Sequence, residues 1–162
     1  MYQCRPGKPS DFSSVNALAV SAFEQYRDSF HDWAGFRSKI SRMSDLVSGG
    51  ELIVVDVNDC VVGAVVYCGP ESLKAEYFES GWAIMRMLVV SPKWRGLGIG
   101  RSLAEDCISR AIRDDAEVFA LHTCELMAAA LTLYKRMGFV WEKDAPIIHG
   151  VKYGVYKKLL AQ

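Results

Sequence analysis

Hydrophobic residues recur at helical spacing along the first third of the chain. Apolar side chains three and four positions apart form one stripe over residues 12–26 and a second over residues 33–47. This periodicity predicts two amphipathic helices. Ser10 or Asp11 stands where a side chain can cap the first helix. A glycine pair follows the second stripe and is typical of a helix end.

Runs rich in β-branched residues surround and follow these helices. Such runs predict strands over residues 2–6, 51–57, 60–68, 82–90, 117–123, 139–142 and 150–160. Asn58-Asp59 separates the second run from the third and favours a hairpin turn. Two further helical stripes cover residues 103–112 and 127–137, and Gly138 is placed as the left-handed cap of the second one.

The order of these elements, β-α-α-β-β-β-α-β-α-β-β, predicts a mixed α/β fold. The strand, helix and strand between residues 82 and 122 predict a right-handed parallel crossover. No repeat, low-complexity tract or linker interrupts the sequence. We therefore expect a single domain over residues 1–162.

Composition narrows the function classes. The chain carries 19 Lys and Arg against 19 Asp and Glu, so it lacks the surplus of positive charge that general nucleic-acid binding requires. No apolar run approaches the roughly 18 residues of a membrane span, and the N-terminal residues lack the apolar run of a signal peptide. The five cysteines are scattered without a CxxC pair, which favours small buried thiols and argues against zinc. We expect a cytoplasmic protein with no metal, no nucleic-acid partner and no membrane partner.

The segment VVSPKWRGLGIGRSL, residues 89–103, places three glycines between a predicted strand and a predicted helix. The first N–H groups of a helix have no partner within it, and the helix dipole adds about half a positive charge there. Glycine lets a phosphate approach the backbone closely. The segment therefore predicts an anion site, with Lys93, Arg95 and Arg101 around it.

Two common phosphate loops fit this segment poorly. A Walker loop needs Lys after its second glycine, and Arg101 stands there. A dinucleotide fingerprint needs a third glycine at the position of Arg101, although Gly96 and Gly98 match the first two. Dinucleotide binding of the dehydrogenase type stays open as a weaker alternative.

The spacing that fits is Arg-x-x-Gly-x-Gly, formed by Arg95, Gly98 and Gly100. It resembles the acyl-CoA pyrophosphate loop of the GNAT superfamily of N-acyltransferases. The later segment AAALTLYKRMGF, with Tyr134 and Gly138, resembles a second motif of that family. The resemblance is close over residues 82–142. It implies a twisted, mostly antiparallel sheet with one parallel pair, the fourth and fifth strands, flanked by helices.

The resemblance also implies the cofactor, acetyl-CoA, and the residues that hold it. The loop amides would take the pyrophosphate, and the strand before them would pair with the pantetheine arm. The cofactor-binding residues implied are Met87, Leu88, Val89, Val90, Arg95, Gly96, Leu97, Gly98, Ile99, Gly100, Arg101 and Tyr134. The N–H of Leu88 or Val89 would also polarise the thioester carbonyl.

Tyr134 matches the general acid of the family by motif, although a tyrosine at helical spacing is equally typical of a core. The general base stays open. The strand 82–90 has none of the carboxylates that many relatives place there, so His122 and Glu125, or Glu76 and Glu79 through water, are the candidates. Met127 stands where relatives often have an asparagine that helps to hold the cofactor.

The resemblance implies that the first two helices roof the acceptor site, and an aromatic series lies there. Tyr26, Phe30 and Trp33 lie near the helix junction and are the predicted acceptor-binding residues, whereas Phe23 and Phe36 are predicted to belong to the core. Glutamates in the loop 69–81 offer attraction for a cationic amine.

The resemblance therefore implies an enzyme that transfers acetyl from acetyl-CoA to a primary amine, which is either a small molecule or a peptide. A catalytically idle acyl-CoA-binding sensor or partner module is the alternative from another class. A homodimer is compatible with such a fold, although no segment specifies one.

Overall fold

Seven strands form one sheet in the order β1-β2-β3-β4-β5-β7-β6 in the computed structural model, which describes residues 2–160. The strands are β1 Arg5–Pro6, β2 Glu51–Val57, β3 Cys60–Cys68, β4 Ala83–Val90, β5 Val118–Thr123, β6 Val140–Ile148 and β7 Val151–Leu159. The α-helices are α1 Phe12–Phe23, α2 Trp33–Ile40, α3 Ile99–Arg113 and α4 Ala128–Arg136. The element order is the predicted one.

The sheet is antiparallel at every neighbouring pair except β4 and β5. The prediction of a mostly antiparallel sheet with one parallel pair is therefore confirmed. The β2–β3 hairpin is also confirmed: Val57 pairs with Cys60, and both turn residues, Asn58 and Asp59, have positive φ, at 52° and 64°. Positive φ at both central residues is the geometry of a type I′ turn, which matches the twist of the strands.

Both early helices end sooner than their apolar stripes predict. α1 ends at Phe23 and is followed by a 3₁₀ segment, Glu24–Ser29, while α2 ends at Ile40 before another, Met43–Gly49. An apolar residue at every third position satisfies a 3₁₀ turn as well as an α-helix, so the stripe does not distinguish the two. Asp11 stands at the start of α1 without capping it, because its carboxylate accepts hydrogen bonds from the Arg5 guanidinium and the Lys8 N–H.

The two faces of the sheet carry separate hydrophobic clusters. Leu52 and Val54 point to the face that α1 and α2 cover, whereas Ile53 and Val55 point to the face that α3 and α4 cover. This alternation follows from the period of two along a strand. Within residues 2–160, no helix has the length and apolar character needed to cross a membrane.

The strands β4 and β5 separate soon after they meet. They pair only at Ala83 with Phe119 and at Ile84 with Ala120, and both strands continue beyond that point. On its other side, β4 has an irregularity in its register with β3, and Met87 there has a φ of 58°. A non-glycine residue in this region is strained, and such strain occurs preferentially at functional sites. The divergence opens a gap in the middle of the sheet.

Candidate active site

The segment between β4 and α3 is a glycine-rich turn whose shape needs two of its glycines. Gly96 and Gly98 have φ of 76° and 87°, and Gly98 is the residue immediately before α3. Left-handed backbone of this kind strains a residue that has a Cβ. The glycines therefore set the direction in which the chain enters α3.

The backbone of this turn is rich in unused donors. None of the seven N–H groups from Arg95 to Arg101 donates a hydrogen bond to an acceptor within residues 2–160. The first amide of α3 that finds a partner is that of Ser102, which donates to the Gly98 carbonyl at 3.0 Å. The turn thus presents a concentrated set of free donors at the positive end of the helix dipole, which is the arrangement that binds anions.

Gly100 has a different role from the other two glycines, because it is helical and its φ is not positive. A Cβ added there would lie 3.6 Å from Leu133, 3.7 Å from Val90 and 3.9 Å from Leu88, all ordinary contacts. Neither backbone conformation nor packing within the protein therefore requires glycine at this position. A molecule that approaches the start of α3 closely would require it.

The arginines of the turn are already engaged. Arg95 donates to the Ala22 carbonyl at 2.8 Å and to the Gln25 side chain, which ties the turn to the end of α1. Arg101 pairs with Glu105 one helical turn away, at 2.9 Å. Lys93 is exposed. The free donors that could hold an anion at this turn therefore belong to its backbone more than the sequence predicts.

A cavity of about 160 Å³ lies where β4 and β5 diverge. Residues from α1, α2, the 3₁₀ segment after α2, β4, β5, α4 and the last hairpin line it. Met87 and Leu88 are in this lining, and both belong to the stretch of β4 that leads into the turn. The cavity and the turn are thus two parts of one continuous site along β4.

Tyr134 reaches this cavity from α4, where it lies on the same helical face as Ala130. The side chain is 5% exposed, and its ring packs against Phe139 at 5.8 Å between centroids. The hydroxyl forms no hydrogen bond with any residue that the structure describes. Burial, and then the neighbouring Cys107, raise the pKa of Tyr134, so the hydroxyl is a neutral donor at physiological pH.

His122, one of the two leading base candidates, lies on the wall of the same cavity. Aromatic rings surround it, with Tyr153 at 5.3 Å, Tyr77 at 5.6 Å and Phe78 at 6.0 Å between centroids. Burial, followed by the positive charges of Arg86 and Lys39, lowers the pKa of His122 to about 4. The imidazole is therefore neutral at pH 7 and accepts protons only weakly.

The carboxylate candidates lie elsewhere. Glu125 is exposed and lines a second, more open cavity together with Trp141 and Tyr156. Glu76 and Glu79 are exposed and do not line the cavity that contains Tyr134. The structure thus brings Tyr134 and His122 together and leaves the glutamates outside.

The aromatic residues of the first helices are arranged around the cavity differently from the prediction. Phe23 and Phe36 belong to the hydrophobic core, as predicted, but they also line the cavity. Tyr26, Phe30 and Trp33 do not line the cavity, whereas Phe23 and Phe36 do. Phe30 is 5% exposed and stacks on Phe36 with centroids 4.1 Å apart. The cause is the 3₁₀ segment after Phe23, which turns each residue through about 120° instead of 100° and so moves the following side chains to other faces.

Sequence reasoning missed the cationic side chains of the cavity, Lys39, Arg42 and Arg86. One signal was available: Arg86 interrupts the run WAIMRMLVV, which is otherwise entirely apolar. A charge is rarely placed in a buried strand without a partner or a function. Lys39 and Arg42 have no comparable signal, because solvent-facing cations are common on helices.

Known proteins resemble this chain in sequence and in fold. The sequence model of the acetyltransferase (GNAT) family matches residues 15–139, although no curated protein matches the sequence significantly. Solved structures resemble the fold along nearly the whole chain. Ard1 from Thermoplasma volcanium superposes with a TM-score of 0.77 at 18% identity, over 99% of this chain and 98% of that one.

Two further structures are similar over comparable lengths. Ribosomal-protein-alanine N-acetyltransferase from Brucella melitensis has a TM-score of 0.70 at 20% identity, covering 98% of this chain and 99% of its own. The protein yncA from Salmonella typhimurium, a putative acetyltransferase solved with its cofactor acetyl-CoA, has a TM-score of 0.71 at 16% identity, covering 99% and 94%. The match of the family model extends over more than half of the sequence. The chain belongs to the acetyltransferase (GNAT) family.

Proposed function

We propose that this protein transfers the acetyl group of acetyl-CoA to a primary amine. The observation that carries the proposal is the set of seven free N–H groups from Arg95 to Arg101, which adjoins the cavity that contains Tyr134. Free donors at a helix start suit a diphosphate. An unpartnered hydroxyl at the end of a buried side chain suits a proton transfer in the adjoining space.

The residues of the turn and of β4 fit coenzyme A. The amides from Arg95 to Arg101 would bind the diphosphate, and Gly100 would leave room for it. Leu88 or Val89 would polarise the thioester carbonyl through a backbone N–H. Acetyl-CoA supplies an activated acetyl group as a thioester, so the protein needs to orient that group and to manage protons.

Tyr134 is the proposed acid that protonates the thiolate as it leaves. A free thiol has a pKa of about 8.5 and a free phenol one of about 10, so the transfer is nearly balanced in water. Burial raises the pKa of Tyr134, and burial likewise raises the pKa of the neighbouring Cys107 thiol. Burial in the same cavity would also raise the pKa of the thiol that leaves, so the pKa values of the thiol and of Tyr134 would shift in the same direction.

His122 is proposed to accept a hydrogen bond from the attacking amine. With a pKa of about 4 it remains uncharged during this contact, and it cannot remove a proton from an ammonium ion efficiently. The amine therefore has to arrive largely deprotonated, or to lose its proton to water. Glu125 is not proposed as the direct base, because it lines the other cavity and not this one.

A second candidate, the idle acyl-CoA-binding sensor, is favoured by one observation. No Asp or Glu is among the residues that line the cavity within the described part of the chain. A protein that binds the cofactor without turnover needs no base. The two candidates agree on cofactor binding and differ on the release of thiol.

The test combines binding with turnover. We expect acetyl-CoA to raise the melting temperature, because a ligand at 100 times its Kd stabilises the folded state by about 2.7 kcal/mol, and we expect NAD to have no effect. An amine panel should then release free coenzyme A thiol. A higher melting temperature without any release of thiol would favour the sensor. An unchanged melting temperature at millimolar acetyl-CoA would refute both candidates.

A further inference from the structure

We propose that the acetyl acceptor is a small amine that carries a carboxylate near its reacting nitrogen, and that Arg86, with Lys39 and Arg42, binds this anionic group. The inference rests on the proposed function and adds the chemical class of the acceptor. It derives from the charges that line the cavity.

Arg86 is the central residue of this argument. It lies in β4 between Met85 and Met87, in the strand that forms the wall of the cavity, and it is half-buried. Its guanidinium has neither an ion pair nor a hydrogen bond within residues 2–160. A guanidinium has five N–H donors in a planar fork that matches a carboxylate, so these unused donors are available to a ligand that enters the cavity.

The outer face of α3 shows how this chain pairs another half-buried arginine. Arg110 bonds to Glu51 at 2.6 Å and lies 3.7 Å from Asp106. Arg113, beside it, bonds to Glu51 and to Asp114. Carboxylates of the protein thus neutralise the cations on that face. No Asp or Glu of residues 2–160 lines the cavity to neutralise Arg86, and a ligand can supply the carboxylate.

Two more cations face the same space. Lys39 comes from α2 and Arg42 from the segment after it, and neither has an ion pair among the described residues. Both are exposed, which places them at the rim of the cavity, whereas Arg86 lies deeper. The lowered pKa of His122, to which Arg86 and Lys39 both contribute after burial, reflects the resulting positive potential inside the cavity.

This potential argues against a cationic acceptor. The sequence predicts that glutamates of the loop 69–81 attract a cationic amine, but Glu71, Glu76 and Glu79 are exposed and outside the cavity. Tyr77 is the residue of that loop that lines it. A diamine entering the cavity would meet three positive charges and, among the described lining residues, no negative one, so it would be repelled.

The volume limits the size of the acceptor. The cavity measures about 160 Å³, and a cavity of about 150 Å³ holds a ligand of the size of benzene. Part of the space must also receive the acetyl end of the cofactor. An amine of the size of a free amino acid fits this description, whereas a longer acceptor would have to extend outside.

The experiment measures kcat/KM for coenzyme A thiol release with pairs of amines that differ only in charge. Each pair consists of an amino acid and its amide, such as alanine and alaninamide or methionine and methioninamide, and putrescine represents the diamines. We expect each acid to exceed its amide by about ten-fold or more, which is the effect of one charge-assisted hydrogen bond. Amidation increases the fraction of free amine, so this preference would run against intrinsic reactivity.

Variants assign the preference to the cavity. Arg86→Met should reduce the ratio of acid to amide to near one, through a higher KM for the acid, and Arg86→Lys should restore part of the ratio. Arg37→Gln is the matched control, because it removes a positive charge from the exposed surface of the same helix as Lys39 without changing the lining. Melting temperatures and the Kd of acetyl-CoA should be the same for all of these proteins.

The outcomes separate this inference from the proposed function. Transfer to amides or to putrescine as efficient as transfer to acids would overturn the inference and leave amine acetylation standing. A large loss of acetyl-CoA affinity in Arg86→Met would also overturn it, since the cations would then serve the cofactor. Absence of transfer to every amine would refute the proposed function, and the inference with it.

Discussion

The turn before α3 and the cavity beside it are built in opposite ways. The turn is one continuous segment that offers backbone N–H groups, and its arginine side chains are committed to α1 and to Glu105. The cavity is assembled from elements that are distant in sequence, and it offers side chains, including cations without partners. A backbone site suits a constant ligand, because the peptide group is the same in any sequence. A side-chain site suits a ligand that differs from one relative to another.

This difference separates the two substrates of the proposed reaction. The cofactor would be recognised by what the fold supplies, namely free amides at the positive end of a helix dipole. The acceptor would be recognised by what this particular sequence supplies, namely Arg86 and its neighbours. Variants that affect the turn should therefore change affinity for the cofactor, and variants in the cavity should change turnover or acceptor choice.

The largest effect is expected at Tyr134, where the two regions meet. Tyr134→Phe keeps the ring against Phe139 and removes only a hydroxyl that has no partner in the described part of the chain. We expect kcat to fall by about 100-fold or more, which is typical of a lost general acid. The melting temperature and the KM for acetyl-CoA should stay close to wild type. Unchanged turnover would reduce Tyr134 to a packing residue.

The next effect concerns the turn itself and has a control within the chain. Gly98 and Gly81 have φ of 87° and 88°, and nothing lies within 4 Å of a Cβ added at either position. Replacement by alanine at either position should strain the backbone equally and lower the free energy of unfolding by about 1 kcal/mol. Only Gly98→Ala should also raise the Kd of acetyl-CoA, by about ten-fold, the effect of weakening one charge-assisted hydrogen bond. Equal affinities in calorimetric titration would mean that the turn does not hold the cofactor.

Gly100 provides a smaller effect in which stability and binding move in opposite directions. A methyl group fits there at ordinary contact distances, and glycine in a helix is less stable than alanine by up to about 1 kcal/mol. Gly100→Ala should therefore raise the free energy of unfolding slightly and weaken acetyl-CoA binding severalfold. Denaturant titration and calorimetry measure the two quantities. A variant that gains stability and keeps full affinity would show that no ligand approaches Gly100.

The same contrast explains which features could be read from the sequence. The Asn58-Asp59 turn and the glycines at positions 96 and 98 are local requirements of backbone conformation, so their residue types predict them directly. The cavity depends on where distant elements meet, and no local pattern reports that. Tyr26, Phe30 and Trp33 lie away from the cavity because a 3₁₀ segment, which the apolar spacing cannot distinguish from α-helix, rotates the side chains after α1.

The smallest effect expected is on the pH dependence of turnover. His122 has a pKa of about 4, so it is uncharged throughout the range from pH 6 to pH 9. The rate should rise with pH only as the acceptor amine loses its proton, and His122→Gln should give a profile of the same shape. An inflection between pH 6 and pH 7 that disappears in the variant would instead identify His122 as a base with an ordinary pKa.

Stability provides an independent measurement of the same shift. The pKa of His122 is lower in the folded protein than the value of about 6.5 in an unfolded chain. Between pH 6.5 and pH 4 the unfolded chain therefore takes up a proton that the folded protein does not, and this contribution to the free energy of unfolding decreases as the pH falls. At pH 5 the loss should be on the order of 1–2 kcal/mol relative to pH 7. His122→Gln has no imidazole to protonate, so urea titrations at the two pH values should show a smaller decrease in the free energy of unfolding for the variant than for the wild type. Equal decreases would mean that the cavity neither desolvates His122 nor exposes it to the charges of Arg86 and Lys39.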